Sequence, residues 1–209
     1  MTKFVELMSE VGAIYRYVDG DPVHPAFTQA EKHSDFYFNS DIPLLDNHTR
    51  KFCLSELCRN IYENGEENHT HVITYSGMTW SSVALATLVA NSFNTRLVVS
   101  TNFCTPTKNI NRNFKPIIVC DDVYSGSSIQ AMREFIGEVF RYRNTINVFC
   151  LADLSGKSFD YIHVNSMAKF SVNLYEPANC PLCAAGSQPL DARAEWGSLL
   201  CVGPNDISR

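Results

Sequence analysis

The run Lys115-Pro-Ile-Ile-Val-Cys-Asp-Asp-Val-Tyr-Ser-Gly-Ser-Ser-Ile129 limits what this chain can fold into more than any other stretch. Ile117 to Cys120 are four consecutive apolar residues, the pattern of a short strand buried on both faces of a parallel sheet. Asp121 and Asp122 close that strand, and Ser125, Gly126, Ser127 and Ser128 form a loop directly after it. A helix then begins near Ile129, with Met132, Phe135, Ile136 and Val139 at helical spacing. Such a loop presents unpaired N–H groups, hydroxyls and the positive end of the helix dipole to an anion, most naturally a phosphate. The acidic pair suits a sugar diol, whose hydroxyls donate to carboxylates. Diol and phosphate together describe a ribose 5-phosphate. The plainer alternative is a strand–loop–helix junction whose Asp and Ser residues only cap the helix. Capping uses one such residue, whereas six polar or glycine positions stand here in order.

The rest of the chain alternates around this segment. His71–Tyr75 reads as a strand, Trp80–Ser92 as a helix, Leu97–Ser100 as a strand, Gln130–Tyr142 as a helix, and Ile146–Leu151 and Tyr161–Val164 as strands. This order predicts an α/β fold, doubly wound around a mostly parallel five-stranded sheet with right-handed crossovers. A ligand then sits at the carboxyl ends of the strands, where Asp121 and Asp122 fall. Upstream, Phe4, Leu7, Met8, Val11 and Ile14 predict a helix ending near Tyr15, Gly20–Pro25 a turn or loop, and Arg50–Tyr62 a second helix. Thr101–Phe114 holds Pro106, four Asn and almost no hydrophobic periodicity, which predicts a long mobile connection.

With 209 residues and 45% hydrophobic content the chain fits one domain with a sizeable core. A net charge of −5 and the lack of a long basic run argue against general nucleic-acid binding. No stretch has the length and apolarity of a membrane span, and the acids within the first ten residues read as helix rather than signal peptide. Eight cysteines, several inside apolar runs such as Cys120 and Cys150, suit buried reduced thiols in a cytoplasmic protein.

The segment from Ile117 to Ser128 resembles the phosphoribosyl-pyrophosphate motif of the type I phosphoribosyltransferases: four apolar residues, an acidic pair, a spacer, and a Ser/Thr-Gly-x-Ser/Thr loop. The orotate branch is closest. Only Tyr124 stands between Val123 and Ser125, where the family usually has two residues. The resemblance extends over roughly residues 27 to 190 and implies a single domain, with a hood from about 1–45 plus the C-terminal segment and a core of about 46–175. It implies Asp121 and Asp122 on the ribose hydroxyls with magnesium close by, and Ser125, Gly126, Ser127 and Ser128 around the 5-phosphate. Tyr75-Ser76-Gly77 matches the family's pyrophosphate loop, with Ser76 where orotate-type enzymes often carry Lys; by itself, a strand–Gly–helix turn is common.

Ala30–Asn39 is similar to the orotate branch's hood segment, which would set Lys32, Phe36 and Tyr37 at the nucleobase. The same alternation also fits a half-buried strand with Phe36 and Phe38 in the core. The basic lid run of the family is missing, and Lys108, Arg112 and Lys115 are the nearest cations, with Lys108 or Arg112 the candidates for the pyrophosphate, from a mobile loop or across a dimer interface. They also fit exposed loop charges without a role.

Cys180-Pro-Leu-Cys183, followed by Gly186, is again similar to a segment of some orotate-type members. Cys180 and Cys183 supply two ligands of a possible zinc site, which needs four, and His163, Cys201 or a second subunit are the candidate partners. His24, His48, His69 and His71 stand alone in the sequence and read as surface or satisfied residues. The implied function is transfer of ribose 5-phosphate from phosphoribosyl pyrophosphate to a nucleobase, with magnesium, as a cytoplasmic homodimer without nucleic-acid or membrane partners. The alternative is a regulatory binding protein of the same fold that senses phosphoribosyl pyrophosphate or a nucleotide without turnover.

Overall fold

A computed structural model describes residues 2–27, 31–75, 77–100 and 114–202. In chain order the elements begin with α1 (Lys3–Glu10), β1 (Ile14–Arg16), β2 (Val23–Phe27), β3 (Lys32–Ser34), β4 (Phe36–Phe38), α2 (Asp41–Leu45) and α3 (Asn47–Glu63). There follow β5 (His71–Tyr75), α4 (Trp80–Phe93), β6 (Arg96–Ser100), β7 (Pro116–Val119), β8 (Asp122–Val123), α5 (Ser127–Val139), β9 (Ile146–Asp153) and β10 (Ile162–Lys169). The chain closes with β11 (Leu174–Tyr175), a 3-10 turn at Pro177–Asn179, α6 (Pro181–Ala184), β12 (Gln188–Asp191) and α7 (Trp196–Val202). These elements form two units, Met1–Ile42 with Ser171–Arg209, and Pro43–Phe170.

The second unit is built on the parallel sheet that the alternation predicts. Its strands lie in the order β10-β9-β7-β5-β6, every neighbouring pair parallel, and the short β8 adds to β9 beyond the end of β7. Ile73, Ile118, Cys120, Val148 and Cys150 pack with Ile129, Met132, Phe135 and Ile136 of α5. Because side chains alternate along a strand, Val72, Ile117, Val119, Phe149 and Leu151 face the other side, which α3 and α4 cover. Helices on both faces make the sheet doubly wound. The four residues Ile117–Cys120 are all wholly buried.

Counted along the chain, the sheet order is second, first, third, fourth, fifth. The direction of winding therefore reverses between β5 and β7, and a crevice opens at their carboxyl ends. A side-chain cap fixes the start of α4 there. Thr79 Oγ1 accepts from Ser82 N to start α4, and Asn94 ends it at φ 52°. Phe114, read as the end of the long connection, instead stacks on Phe140 with ring centroids 4.4 Å apart, and residues 101–113 lie outside the described ones.

The first unit departs from the predicted elements. α1 stops at Glu10 because Gly12, at φ 70°, turns the chain, and Ile14–Arg16 pairs antiparallel with Phe36–Phe38 as a strand. The predicted loop over Gly20–Pro25 holds only to Pro22. From Val23 the chain is strand, antiparallel to β3 and parallel to β12 from the far end of the sequence, and β11 joins β3. Tyr15, Val23, Ala192, Trp196 and Leu199 form the core of this unit. Among the described residues no helix is long and apolar enough to cross a membrane.

Candidate functional site

The crevice at the ends of β5 and β7 holds a cavity of about 160 Å³, lined from the β5 side by Met78 and Thr79 and from the β7 side by residues between Asp121 and Ile129. A larger open groove of about 1130 Å³ runs between α5 and Ser158–Ile162. It mixes Arg133, Arg141 and Arg143 with Glu134, Glu138 and Asp160 and borders the amino end of β10, whereas the smaller cavity lies at the carboxyl ends of the strands and is the candidate site.

The two adjacent carboxylates have different surroundings. Asp121 is 2% exposed. Its carboxylate accepts from Thr79 Oγ1, from Ser81 Oγ at 2.6 Å, from Ser82 Oγ, and from the N–H of Asp122 at 3.0 Å. Its own N–H donates to Ser82 Oγ at 3.2 Å, and its carbonyl accepts from Leu151 and Ala152. This carboxylate joins the tip of β7 to the first turn of α4. Asp122, on β8, is half-buried at the cavity. The sequence treated both as ribose ligands; the pleat sends one inward, and the consecutive Ser81 and Ser82 at the start of an otherwise apolar helix are the signal that could have marked it.

Beyond Asp122 the chain turns through Ser125 to Ser128. Ser125 Oγ lies 2.9 Å from Ser127 Oγ and accepts from Ser127 N at 3.3 Å. Gly126 is the residue before α5, at φ 81°, with no side-chain cap on the helix. A Cβ at Gly126 would collide with the edge of the Phe159 ring, and with the positive φ this favours glycine. The helix starts uncapped, with Ser125 and Ser127 exposed and Ser128 half-buried beside the cavity.

Gly77 follows β5 in a turn where Met78 N donates to Tyr75 O at 3.1 Å, and a Cβ at Gly77 would strike the Tyr75 ring. Ser76 and Lys108 lie outside the described residues. Cys120, behind the site, hydrogen-bonds Cys150; that bond and full burial hold its thiol well above the ordinary range, so it is a packing group and not a nucleophile.

The remaining sequence candidates belong to the first unit. Phe36 is fully buried with the Arg16 guanidinium over its ring, so it serves packing and does not face a base. Tyr37 is half-buried and packs on Phe27 and Trp196, while Lys32 pairs with Glu176. Cys180 and Cys183 converge with His24 and His33, neither of which the sequence had joined to them. The pairing of β2 with β3 and with β12 brings them together. Of the partners the sequence offered, His163 lies on β10 and Cys201 is exposed on α7; the residues that converge are His24 and His33. Burial, with His33 adding to it, lowers the pKa of His24 to about 4, leaving a neutral imidazole at pH 7.

No protein-family model matches the chain, and no curated protein matches it in sequence. Among solved structures it is similar to orotate phosphoribosyltransferase from Aeropyrum pernix, with 17% identity and a TM-score of 0.54 over 79% of this chain and 93% of that one. It is also similar to adenine phosphoribosyl transferase from Trypanosoma brucei, crystallised with AMP, pyrophosphate and ribose-5-phosphate. There the identity is 11% and the TM-score 0.51, over 73% of this chain and 68% of that one. The fold is that of the type I phosphoribosyltransferases.

Proposed function

We propose that this chain binds phosphoribosyl pyrophosphate at the crevice between β5 and β7 and transfers its ribose 5-phosphate to a nucleobase of the orotate type, releasing pyrophosphate. One observation carries the reading: Asp122 and the Ser125–Ser128 turn meet in a single cavity at the point where the sheet reverses its winding. The ligands of the trypanosomal neighbour are of the same chemical classes.

In this reading Asp122 accepts from the ribose hydroxyls, and Asp121 acts behind it by fixing the strand tip. The hydroxyls of Ser125, Ser127 and Ser128 and the first N–H groups of α5 take the 5-phosphate. Tyr75, Ser76 and Gly77 meet the pyrophosphate. Lys32 and Tyr37 keep the base-facing role on their resemblance alone.

The oxygen donors at the cavity fit magnesium, which Asp122 would hold and which would offset charge on the diphosphate. In the reaction the bond from ribose carbon 1 to the pyrophosphate oxygen breaks, with the electron pair leaving on pyrophosphate. The lone pair of a base nitrogen forms the new bond to carbon 1, and any proton on that nitrogen passes to solvent. The protein's part is positioning and charge stabilisation.

Thermal unfolding with magnesium and phosphoribosyl pyrophosphate tests the site. Ligand at about a hundred times its Kd adds about 2.7 kcal/mol, which raises the midpoint by roughly 5–10 °C. Asp122→Asn is expected to abolish that rise while leaving the ligand-free midpoint within about 2 °C of the parent, because the position is only half-buried and Asn keeps the shape of the side chain. A wild-type chain that shows no rise at millimolar ligand refutes the site.

The inward commitment of Asp121 favours a second reading, binding without turnover, since it leaves Asp122 as the carboxylate directed to the cavity. Lys108→Ala separates the two readings. Transfer by this chain predicts a fall in turnover of about a hundredfold on losing that cation, with the ligand-induced rise in midpoint retained. A wild-type chain that binds but releases no pyrophosphate with orotate, uracil or purines belongs to the second.

A further inference from the structure

We propose that His24, His33, Cys180 and Cys183 form a tetrahedral zinc site that clasps the two ends of the first unit together. The four donor atoms all lie within 4.8 Å of one another. His24 Nε2 is 3.2 Å from His33 Nδ1, 3.8 Å from Cys180 Sγ and 3.7 Å from Cys183 Sγ, and Cys183 Sγ is 3.3 Å from His33 Nδ1. Zinc bonds of about 2.3 Å to sulfur and about 2.05 Å to nitrogen set the edges of a regular tetrahedron at about 3.3 Å between nitrogens and about 3.6 Å between nitrogen and sulfur. These four separations fall within a few tenths of an ångström of those edges, and the remaining two lie within 4.8 Å. Hydrogen bonds among the four side chains have similar lengths; what marks the group is that two imidazole nitrogens and two thiols converge on one point.

The surroundings complete the site. His24 is 0% exposed and Cys180 3%. The other ring nitrogen of His24, Nδ1, lies 3.0 Å from the buried Ser187 Oγ, which fixes the ring and leaves Nε2 as the ligand. Seven cysteines, Cys180 and Cys183 among them, are free thiols among the described residues, so no disulfide competes. Two thiolates and two imidazoles select zinc over magnesium or calcium. All four positions are filled by protein, which makes the site structural and leaves no place for a reacting water. The ion would fix β2 and β3 to the Cys180–Cys183 turn across more than half the chain, beside the β2–β12 pairing.

The test is independent of phosphoribosyl pyrophosphate. The full chain, purified without chelator and passed through gel filtration, is expected to carry about one zinc ion. Cys183→Ser and His33→Gln are each expected to lose most of it, whereas Cys201→Ser and His163→Gln keep it. Should the ligand variants fail to fold, the wild-type chain decides. Stripped and reloaded with cobalt, it must show thiolate-to-cobalt charge transfer and the intense visible bands of a tetrahedral ion. Zinc-supplied wild-type chain holding less than about a tenth of an ion, a cobalt spectrum of octahedral type, or a Cys183→Ser variant with full zinc content overturns the proposal.

Discussion

Gly126→Ala is expected to lower the stability of the chain by about 3 kcal/mol and its thermal midpoint by roughly 6–12 °C. Two costs add. An L-residue at φ 81° is in the left-handed region, worth about 1–2 kcal/mol. The new Cβ collides with the edge of the Phe159 ring, and moving a packed ring costs about 1–3 kcal/mol more. Phe159 packs against the cluster beneath α5, so the displacement is transmitted to the start of that helix. Under the proposed function the ligand-induced rise in midpoint should therefore shrink as well, because the first turn of α5, which lines the cavity at Ser128 and Ile129, moves with the helix. The double variant Gly126→Ala/Phe159→Ala isolates the second cost: it removes the collision and keeps the backbone strain, so the two changes must couple favourably in a double-mutant cycle. A Gly126→Ala protein melting within about 2 °C of wild type would show that the turn yields easily, and the tight fit of glycine would lose its meaning.

The second large effect concerns Asp121. Removing its carboxylate with Asp121→Ala leaves Thr79, Ser81 and Ser82 hydroxyls without their common acceptor in a buried setting. Orphaned buried hydroxyls cost about 1–3 kcal/mol each, and some of the loss is recovered because Ser81 Oγ already donates to Thr79 Oγ1 at 2.7 Å. A net loss of about 3–4 kcal/mol is expected in urea unfolding. Asp121→Asn keeps the shape and one acceptor oxygen and should lose about half as much. Under the proposed function the neighbouring Asp122→Asn is expected to show the opposite profile, altered binding with little change in stability. If Asp121→Ala costs under about 1 kcal/mol, the network is not what joins the strand tip to α4.

That contrast marks the limit of what residue order conveys. The sheet was legible because Ile117–Cys120 and its counterparts are uniformly apolar, and uniform apolarity over four or five residues between turn signals has few other solutions. The location of the candidate site followed, since a carboxylate pair at the end of such a strand falls where ligands collect in open α/β sheets, and a cavity lies there. Which carboxylate faces inward was not legible, because it depends on the pleat and on hydroxyls forty residues away. The first unit was harder still. β2 contains Pro25 and follows Pro22, and proline reads locally as loop; its strand character comes from β12, more than 150 residues later. His24 looked solitary for the same reason. The signal for its partners lies in strand pairing rather than in spacing, and β12, with only four residues, carries little periodicity of its own.

The pairing of β2 with β12 also bears on the order in which this protein takes shape as it is made. The first unit is interrupted after Ile42 and resumed at Ser171, with the whole of the second unit in between. A ribosome delivers β2 and β3 early, when nothing that completes their sheet has been synthesised, and it finishes the parallel sheet of the second unit before β12 emerges. Until then β2 shows an open edge of backbone donors and acceptors to the cell, the kind of surface on which nascent chains associate wrongly. The second unit should thus mature first, and the early strands must wait for the last fifth of the chain before they acquire a stable partner.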